Sequence, residues 1–249
     1  MKKNILISIP FLVLSIFILS ACQFLPWVTV VRGSGNLTTE TRPVSGFDTI
    51  RLDGAGRLLI SQGMSESLEI QAEDNLIDEL TSQVEGSTLV LGYQERPWRK
   101  SILPTRPIVY TLVVTDLAKL ILNGAGDIDL QSLQTDALTL EINGAGNFNI
   151  TDLTADNLSV NLAGTGSITV TGVLTEQEII LDGAGSYQAG DLQTRSTAIE
   201  INGLGSGTVW ATETLDISIN GGGSVSYYGS PSVTQEITGL GEVKNLGEK

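Results

Sequence analysis

The chain has 249 residues, with 28 Gly, 14 Lys and Arg, 28 Asp and Glu, one Cys and no His, for a net charge of −14. The absence of His excludes Ser-His-Asp and Cys-His catalysis and His-ligated metals, and a single Cys excludes an internal disulfide or a Cys-rich zinc site. The acidic balance and the 5% aromatic content rule against a nucleic-acid groove, while 41% apolar residues suffice for the core of one domain or two lobes.

The chain opens with Lys2-Lys3 and the apolar run Ile5–Leu19, which is short of the roughly 20 residues a membrane span needs. Leu19-Ser20-Ala21-Cys22 then has the pattern of a bacterial lipobox. Two small residues let a peptidase approach, and the thiol carries the thioether-linked lipid. The expected organisation is a cleaved signal over residues 1–21, lipidation at Cys22 and a tether over residues 22–32. The lipid on Cys22 would hold the protein to the extracytoplasmic side of a membrane, facing the cell surface or the periplasm. Cleavage leaves 12 basic against 28 acidic residues. An ordinary secretory signal and a signal-anchor helix, the latter interrupted by Pro10, are the alternatives. Gln23 rather than Asp follows the Cys, so no inner-membrane retention signal is evident.

Residues 33–115 read as an irregular N-terminal β lobe. Gly33/Gly35 and Gly54/Gly56 open it, with Val31 two residues before the first pair and Ile50, Leu52, Leu58 and Ile60 flanking the second. Ser67–Ala72, Thr88–Tyr93 and Pro107–Thr115 have strand character. Asn75–Val84 has helical spacing, with Leu76, Ile77, Leu80 and Val84 on one side and Gly86 as a stop. Gln94–Arg106 is a Pro-containing excursion that carries Arg96, Trp98, Arg99, Lys100 and Arg106. It reads as a soluble loop, or as a holder of an anionic glycan or headgroup.

Residues 116–249 repeat. Gly-x-Gly recurs at Gly124/Gly126, Gly144/Gly146, Gly164/Gly166, Gly183/Gly185, Gly203/Gly205, Gly221/Gly223 and Gly239/Gly241, in steps of 20, 20, 19, 20, 18 and 18 residues. Two residues before each pair stand Leu122, Ile142, Leu162, Leu181, Ile201, Ile219 and Ile237. Two after it come Ile128, Phe148, Ile168, Tyr187, Gly207, Val225 and Val243, and a corner residue appears as Leu133, Leu153, Val173 and Leu192. Columns with period two on both sides of a Gly bend are strand alternation with one buried face. A unit of this size cannot bury its own apolar face, so stacked units predict an all-β parallel solenoid, or β-helix, in preference to a meander or barrel. Oligomeric state and handedness stay open.

The residue before each pair is Asp53, Asn123, Asn143, Ala163, Asp182, Asn202, Asn220 and Thr238. Asn and Asp tolerate the left-handed region and Gly supplies positive φ, so the paired glycines are expected to be structural turns. The Asn and Asp side chains are placed to form a ladder along the corner. Asp127 and Asp129 resemble one calcium β-roll unit, but later units place Asn147/Asn149, Ser167/Thr169 and Ser186/Gln188 there, so no cofactor or metal is expected. Asp116, Asp136, Asp156 and Glu176 recur at one corner, interrupted by Arg195, with Lys119 isolated. They read as a solvated edge, or as the paired carboxylates of a polysaccharide-active enzyme. No Gly-x-Ser-x-Gly, Ser-x-x-Lys or Gly-x-Gly-x-x-Gly motif occurs.

Gly33-Ser34-Gly35-Asn36, Arg42-Pro43-Val44-Ser45-Gly46-Phe47, the serial Asn-Gly-Ala-Gly units and Tyr227-Tyr228-Gly229-Ser230-Pro231 together resemble the family called putative auto-transporter adhesin, head GIN domain, over about Gly33–Leu246. The resemblance implies a parallel β-helix-like fold on a signal-bearing or lipid-anchored bacterial envelope protein, and brings no catalytic residue. The expected function is therefore non-enzymatic: a solenoid surface for adhesion to a glycan or an envelope protein. The alternative is a β-helix lyase or hydrolase using acids such as Asp136 and Asp156.

Overall fold

A computed structural model of the chain describes residues 29–94 and 100–249. They divide into two compact units. In the smaller, Thr29–Arg32 (β1) pairs in parallel with Lys100–Leu103 (β8). Val31 and Gly33 therefore do not form a solenoid rung, contrary to their spacing.

The larger unit, residues 33–94 and 104–249, is built on parallel stacking. Thr49–Leu52 (β3) and Ala55–Gln62 (β4) meet at the Gly54 bend and form a complete rung. Lys119–Leu122 (β10) stacks on β3, and Ala125–Gln134 (β11) stacks on β4. Ala137–Ile142 (β12) and Ala145–Leu162 (β13) continue the array. Thr165–Leu181 (β14), Ala184–Ile201 (β15), Leu204–Ile219 (β16) and Gly222–Tyr228 (β17) follow, and Ser232–Ile237 (β18) with Leu240–Gly247 (β19) close it. The solenoid thus runs across residue 116, and β3–β4 belong to it.

Its early end is covered by antiparallel strands. Thr88–Tyr93 (β7) and Val109–Val114 (β9) stack in parallel on β3 and β4. Leu80–Glu85 (β6) then pairs with β7, Ser67–Glu73 (β5) with β9, and Leu37–Arg42 (β2) with β5, all antiparallel.

The columns face inward as their alternation predicts. Ile50, Leu120, Leu140 and Ile142 are fully buried, as are Leu122, Leu162, Leu181, Ile201 and Ile219. Each such Leu or Ile contributes roughly 1.5–3 kcal/mol relative to exposure. Tyr187 faces Gly207 on the next rung, and Ile199 fills the space that a side chain at Gly207 would take. The column gives out at the last rung, where Ile237 is 40% exposed.

Two expectations fail locally. Asn75–Val84 is not a helix. One 3₁₀ turn spans Ile77–Glu79, and the chain then becomes β6, since pairing with β7 across the Gly86 turn overrides helical spacing. Arg42 fixes the turn by donating to the carbonyls of Ile77 (2.9 Å) and Leu80 (2.6 Å). Val173 is 55% exposed rather than inward, and Leu174 takes the buried place. The cause is a register shift in β14 that sets Gly172, not Val173, against Leu153.

Candidate binding surface

The glycine pairs act mainly through close approach. Positive φ occurs at Gly56, Gly146 and Gly166 but not at the first glycine of any solenoid pair, and the preceding Asx residues are not left-handed either. What demands glycine at position 144 is packing, because a Cβ there would overlap the carbonyl oxygen of Gly124 on the rung below. Gly54, Gly124, Gly164, Gly183 and Gly203 stack in the same column, and Gly126, Gly185 and Gly205 in the neighbouring one. The left-handed corner residues are Ser132 and Asp152 instead.

The Asx column forms two amide ladders. Asn123 Nδ2 donates to Asp53 Oδ1 (2.7 Å) and Asn143 Nδ2 to Asn123 Oδ1 (3.0 Å). After Ala163 a second series begins at Asp182, which accepts from Asn202 (2.8 Å), and Asn202 accepts from Asn220 (2.9 Å). Each ladder starts with Asp, since an ionised carboxylate accepts and cannot donate onward. Asp127 and Asp129 are similarly engaged by Asn147 Nδ2 (2.8 Å) and Arg57 Nε (2.7 Å). Hydrogen bonding and attraction to Asp129 raise the pKa of Arg57.

The acidic corner is only partly a column. Asp136 and Asp156 stand on adjacent rungs and share a 480 Å³ depression with Asp116, Gln62 and Gln134. Glu176 is one position out of line, opposite Asn157 and Ser196. No Arg or Lys lines this depression. Arg195 is drawn to Glu213 by two hydrogen bonds (2.8 and 3.1 Å), which lower the pKa of Glu213 and raise that of Arg195. Lys119 is not isolated but ion-paired with Glu141 at 2.7 Å. Cys22 and the Arg96–Arg99 part of the basic loop lie outside the described residues.

A second concavity lies elsewhere, on the outward face of the strands that precede each Gly pair. Register aligns Thr139, Ser159, Glu178, Ala198, Asp216 and Thr234 in one column across six rungs, at about 4.8 Å per rung. Ala137, Asn157, Glu176, Ser196 and Thr214 run beside it. Two depressions, of about 380 and 290 Å³, share Glu178, Ala198 and Asp216 and so form one trough. Small side chains make its floor. Glu176, Glu178, Glu200, Asp216 and Glu236 supply its charge, and no Lys or Arg lines it.

Beneath this floor lies a polar chain that the columns did not announce. Gln177 and Thr197 occupy buried places filled by Leu138 and Leu158 on earlier rungs. Tyr187 Oη donates to Gln177 Oε1 (2.7 Å), Gln177 Nε2 donates to Thr197 Oγ1 (3.0 Å), and Thr197 meets Thr194 Oγ1 (2.8 Å). Thr194 Oγ1 also donates to the Trp210 carbonyl (2.8 Å). Burial raises the pKa of Tyr187, so its hydroxyl stays a donor.

A second missed group is Glu73, buried near the start of the larger unit. It accepts from Gly35 N–H (2.6 Å), Thr105 N–H (2.8 Å), Thr105 Oγ1 (2.5 Å) and Arg106 N–H (3.4 Å). Burial alone would raise its pKa, but the bonds from Thr105, Gly35 and Arg106 prevail and hold it at about 2. Among the described residues, no helix is long and apolar enough to cross a membrane.

The sequence model of the family described as putative auto-transporter adhesin, head GIN domain, matches residues 46–231. Three solved structures share the fold. A putative adhesin from Bacteroides fragilis is 27% identical, with 87% of this chain and 100% of that chain covered and a TM-score of 0.82. A putative lipid binding protein from Parabacteroides distasonis is 23% identical, over 88% and 100% of the two chains, at a TM-score of 0.69. A putative adhesin from Parabacteroides merdae is 22% identical, over 88% and 99%, at 0.61. No curated protein matches the chain.

Proposed function

The chain belongs to the family described as putative auto-transporter adhesin, head GIN domain, and on that premise we propose that it is a non-enzymatic binding protein of the bacterial envelope. It presents the outer trough of its solenoid to an extended ligand, either a glycan or an envelope protein. The observation that carries this reading is the trough itself, a depression crossing several rungs with Ala137, Ser159 and Ala198 along its floor. Small side chains let a ligand approach the sheet, and the hydroxyls and carboxylates accept hydrogen bonds from it. A rigid stack of rungs presents these groups at fixed spacing, which suits recognition of a repeating or extended partner. The 27% identical putative adhesin agrees with this reading.

The enzyme alternative would use the Asp116, Asp136 and Asp156 depression, where Asp136 and Asp156 stand one rung apart, at about 4.8 Å, and glycoside hydrolysis needs two neighbouring carboxylates. It has no basic side chain in its lining for elimination chemistry. A glycan and envelope-protein binding screen should be run beside a polysaccharide turnover assay on the form lacking residues 1–22. Specific binding without turnover is expected. Turnover abolished by Asp136→Asn would overturn the non-enzymatic reading.

Attachment is through a lipid on Cys22, with the solenoid facing away from the cytoplasm. Acyl labelling and membrane fractionation of Cys22→Ala should show loss of the lipid and release from membranes. Unchanged membrane retention would instead favour a signal anchor.

A further inference from the structure

The two ends of the solenoid differ. The early end is covered by the antiparallel strands β5 and β6, whereas β18 and β19 have no strand on their outer side among the described residues. Every residue of β18 is exposed, and Val233, Ile237 and Leu246 are 37–40% exposed at this end. Such an edge is a template for another strand.

The backbone of β19 shows which groups are free. Leu240 N–H donates to the Gly221 carbonyl (3.0 Å), back into the solenoid. Because bonding direction alternates along a strand, Gly241, Val243 and Asn245 turn their N–H and C=O groups outward. The side chains on the outer face of the strand are Leu240, Glu242, Lys244 and Leu246. This series complements its own reverse. An antiparallel pairing centred on Val243 sets Glu242 against Lys244 of a second copy, Lys244 against Glu242, and Leu240 against Leu246. Val243 meets Val243 on the two-fold axis. The same centre pairs the outward groups of Gly241 with those of Asn245 and of Val243 with Val243, so backbone and side chains agree on one register.

We propose that β19 is an isologous interface, through which two copies of this chain join at their late ends into a two-fold dimer with a continuous sheet. Two-fold closure pairs the open β19 of each copy with that of the other, so this contact stops at two. The charge pairs fix the register, since a slip by two residues along either strand sets Glu242 or Lys244 against its own kind. The dimer also carries two copies of any binding surface, which raises avidity without new contacts.

Light scattering with the detergent contribution subtracted, applied to the full chain, tests this. The wild type is expected to be a dimer. Lys244→Glu and Glu242→Lys should each be monomeric, because each sets like charges opposite one another. The double exchange Glu242→Lys with Lys244→Glu should be dimeric again, and an equimolar mixture of the two single variants should form a heterodimer. A monomeric wild type, a dimer that both single variants leave intact, or open-ended assembly would overturn the proposal. Circular dichroism of each variant separates loss of pairing from loss of fold, and restoration by the mixture does so independently.

Discussion

Asn143 donates its side-chain amide to the Oδ1 of Asn123, one rung earlier, at 3.0 Å. The direction of this bond explains why Asp is found only where a ladder begins. Replacing Asn143 with Asp would set an acceptor-only carboxylate against the Asn123 oxygen. Asn143→Asp should therefore lose more stability than Asn143→Ala, which forfeits one hydrogen bond of about 1 kcal/mol. Urea melts of the two variants decide this, and equal losses would mean that the ladder has no direction.

The glycines make a separate prediction, because a solenoid glycine can be compared with one in the β6–β7 turn. At Gly144 the obstacle to a side chain is the backbone of Gly124, while Gly86 has a φ of 63° and open space around it. Gly86→Ala should cost about 1–2 kcal/mol of left-handed strain. Gly144→Ala should cost clearly more, because neither backbone can move without parting the rungs. Thermal unfolding of the two variants gives the comparison.

Glu73 makes stability depend on acid. Its folded pKa, about 2, lies below the ordinary 4.5, so its contribution is present in full above pH 4.5 and is lost as pH falls from 4.5 towards 2. Glu73→Gln places an amide NH₂ among N–H and O–H donors. It should be less stable than wild type at pH 7 and should show a smaller decline in melting temperature across that acid window. Parallel declines in the two proteins would show that Glu73 is not the group titrating.

Inside the solenoid, Tyr187→Phe removes the donor to Gln177 Oε1 and leaves a buried oxygen unpaired. It should cost about 1–3 kcal/mol. Adding Gln177→Leu to that variant removes the orphaned amide and extends the Leu138 and Leu158 column, and should recover part of the loss. A double mutant no better than the single one would refute this account of the network.

The rungs were legible because burial on one face of a strand imposes period two, and because identical neighbours stack. Ile142, Leu162 and Leu181 could be placed inward from spacing alone. The corner was less legible: the 19-residue step from Gly164 to Gly183 shows that one residue is missing, but not that it is lost before Gly172, which moves Val173 outward and Leu174 inward. The 3₁₀ turn at Ile77–Glu79 was obscured by helix-like spacing whose later half, Leu80–Glu85, is claimed by β7. Glu73 gave no local signal, because its partners Gly35 and Thr105 lie 38 and 32 residues away. The trough was hidden for a related reason: its residues are ordinary outward positions, and only register brings Glu178, Ala198 and Asp216 together. A signal for the buried network was present, in the appearance of Gln177 where a Leu was due.

The central claim, recognition through the trough without chemistry, is tested most directly at Ala198, which is exposed on the trough floor between Glu178 and Asp216. Isothermal titration with the glycan or protein recovered from the binding screen should compare wild type with Ala198→Arg. The Arg side chain fills the floor and pairs with the neighbouring carboxylates. The expected result is at least a roughly tenfold loss of affinity, about 1.4 kcal/mol, with an unchanged melting temperature. Wild-type affinity in the Ala198→Arg protein would contradict the assignment of the trough as the binding surface.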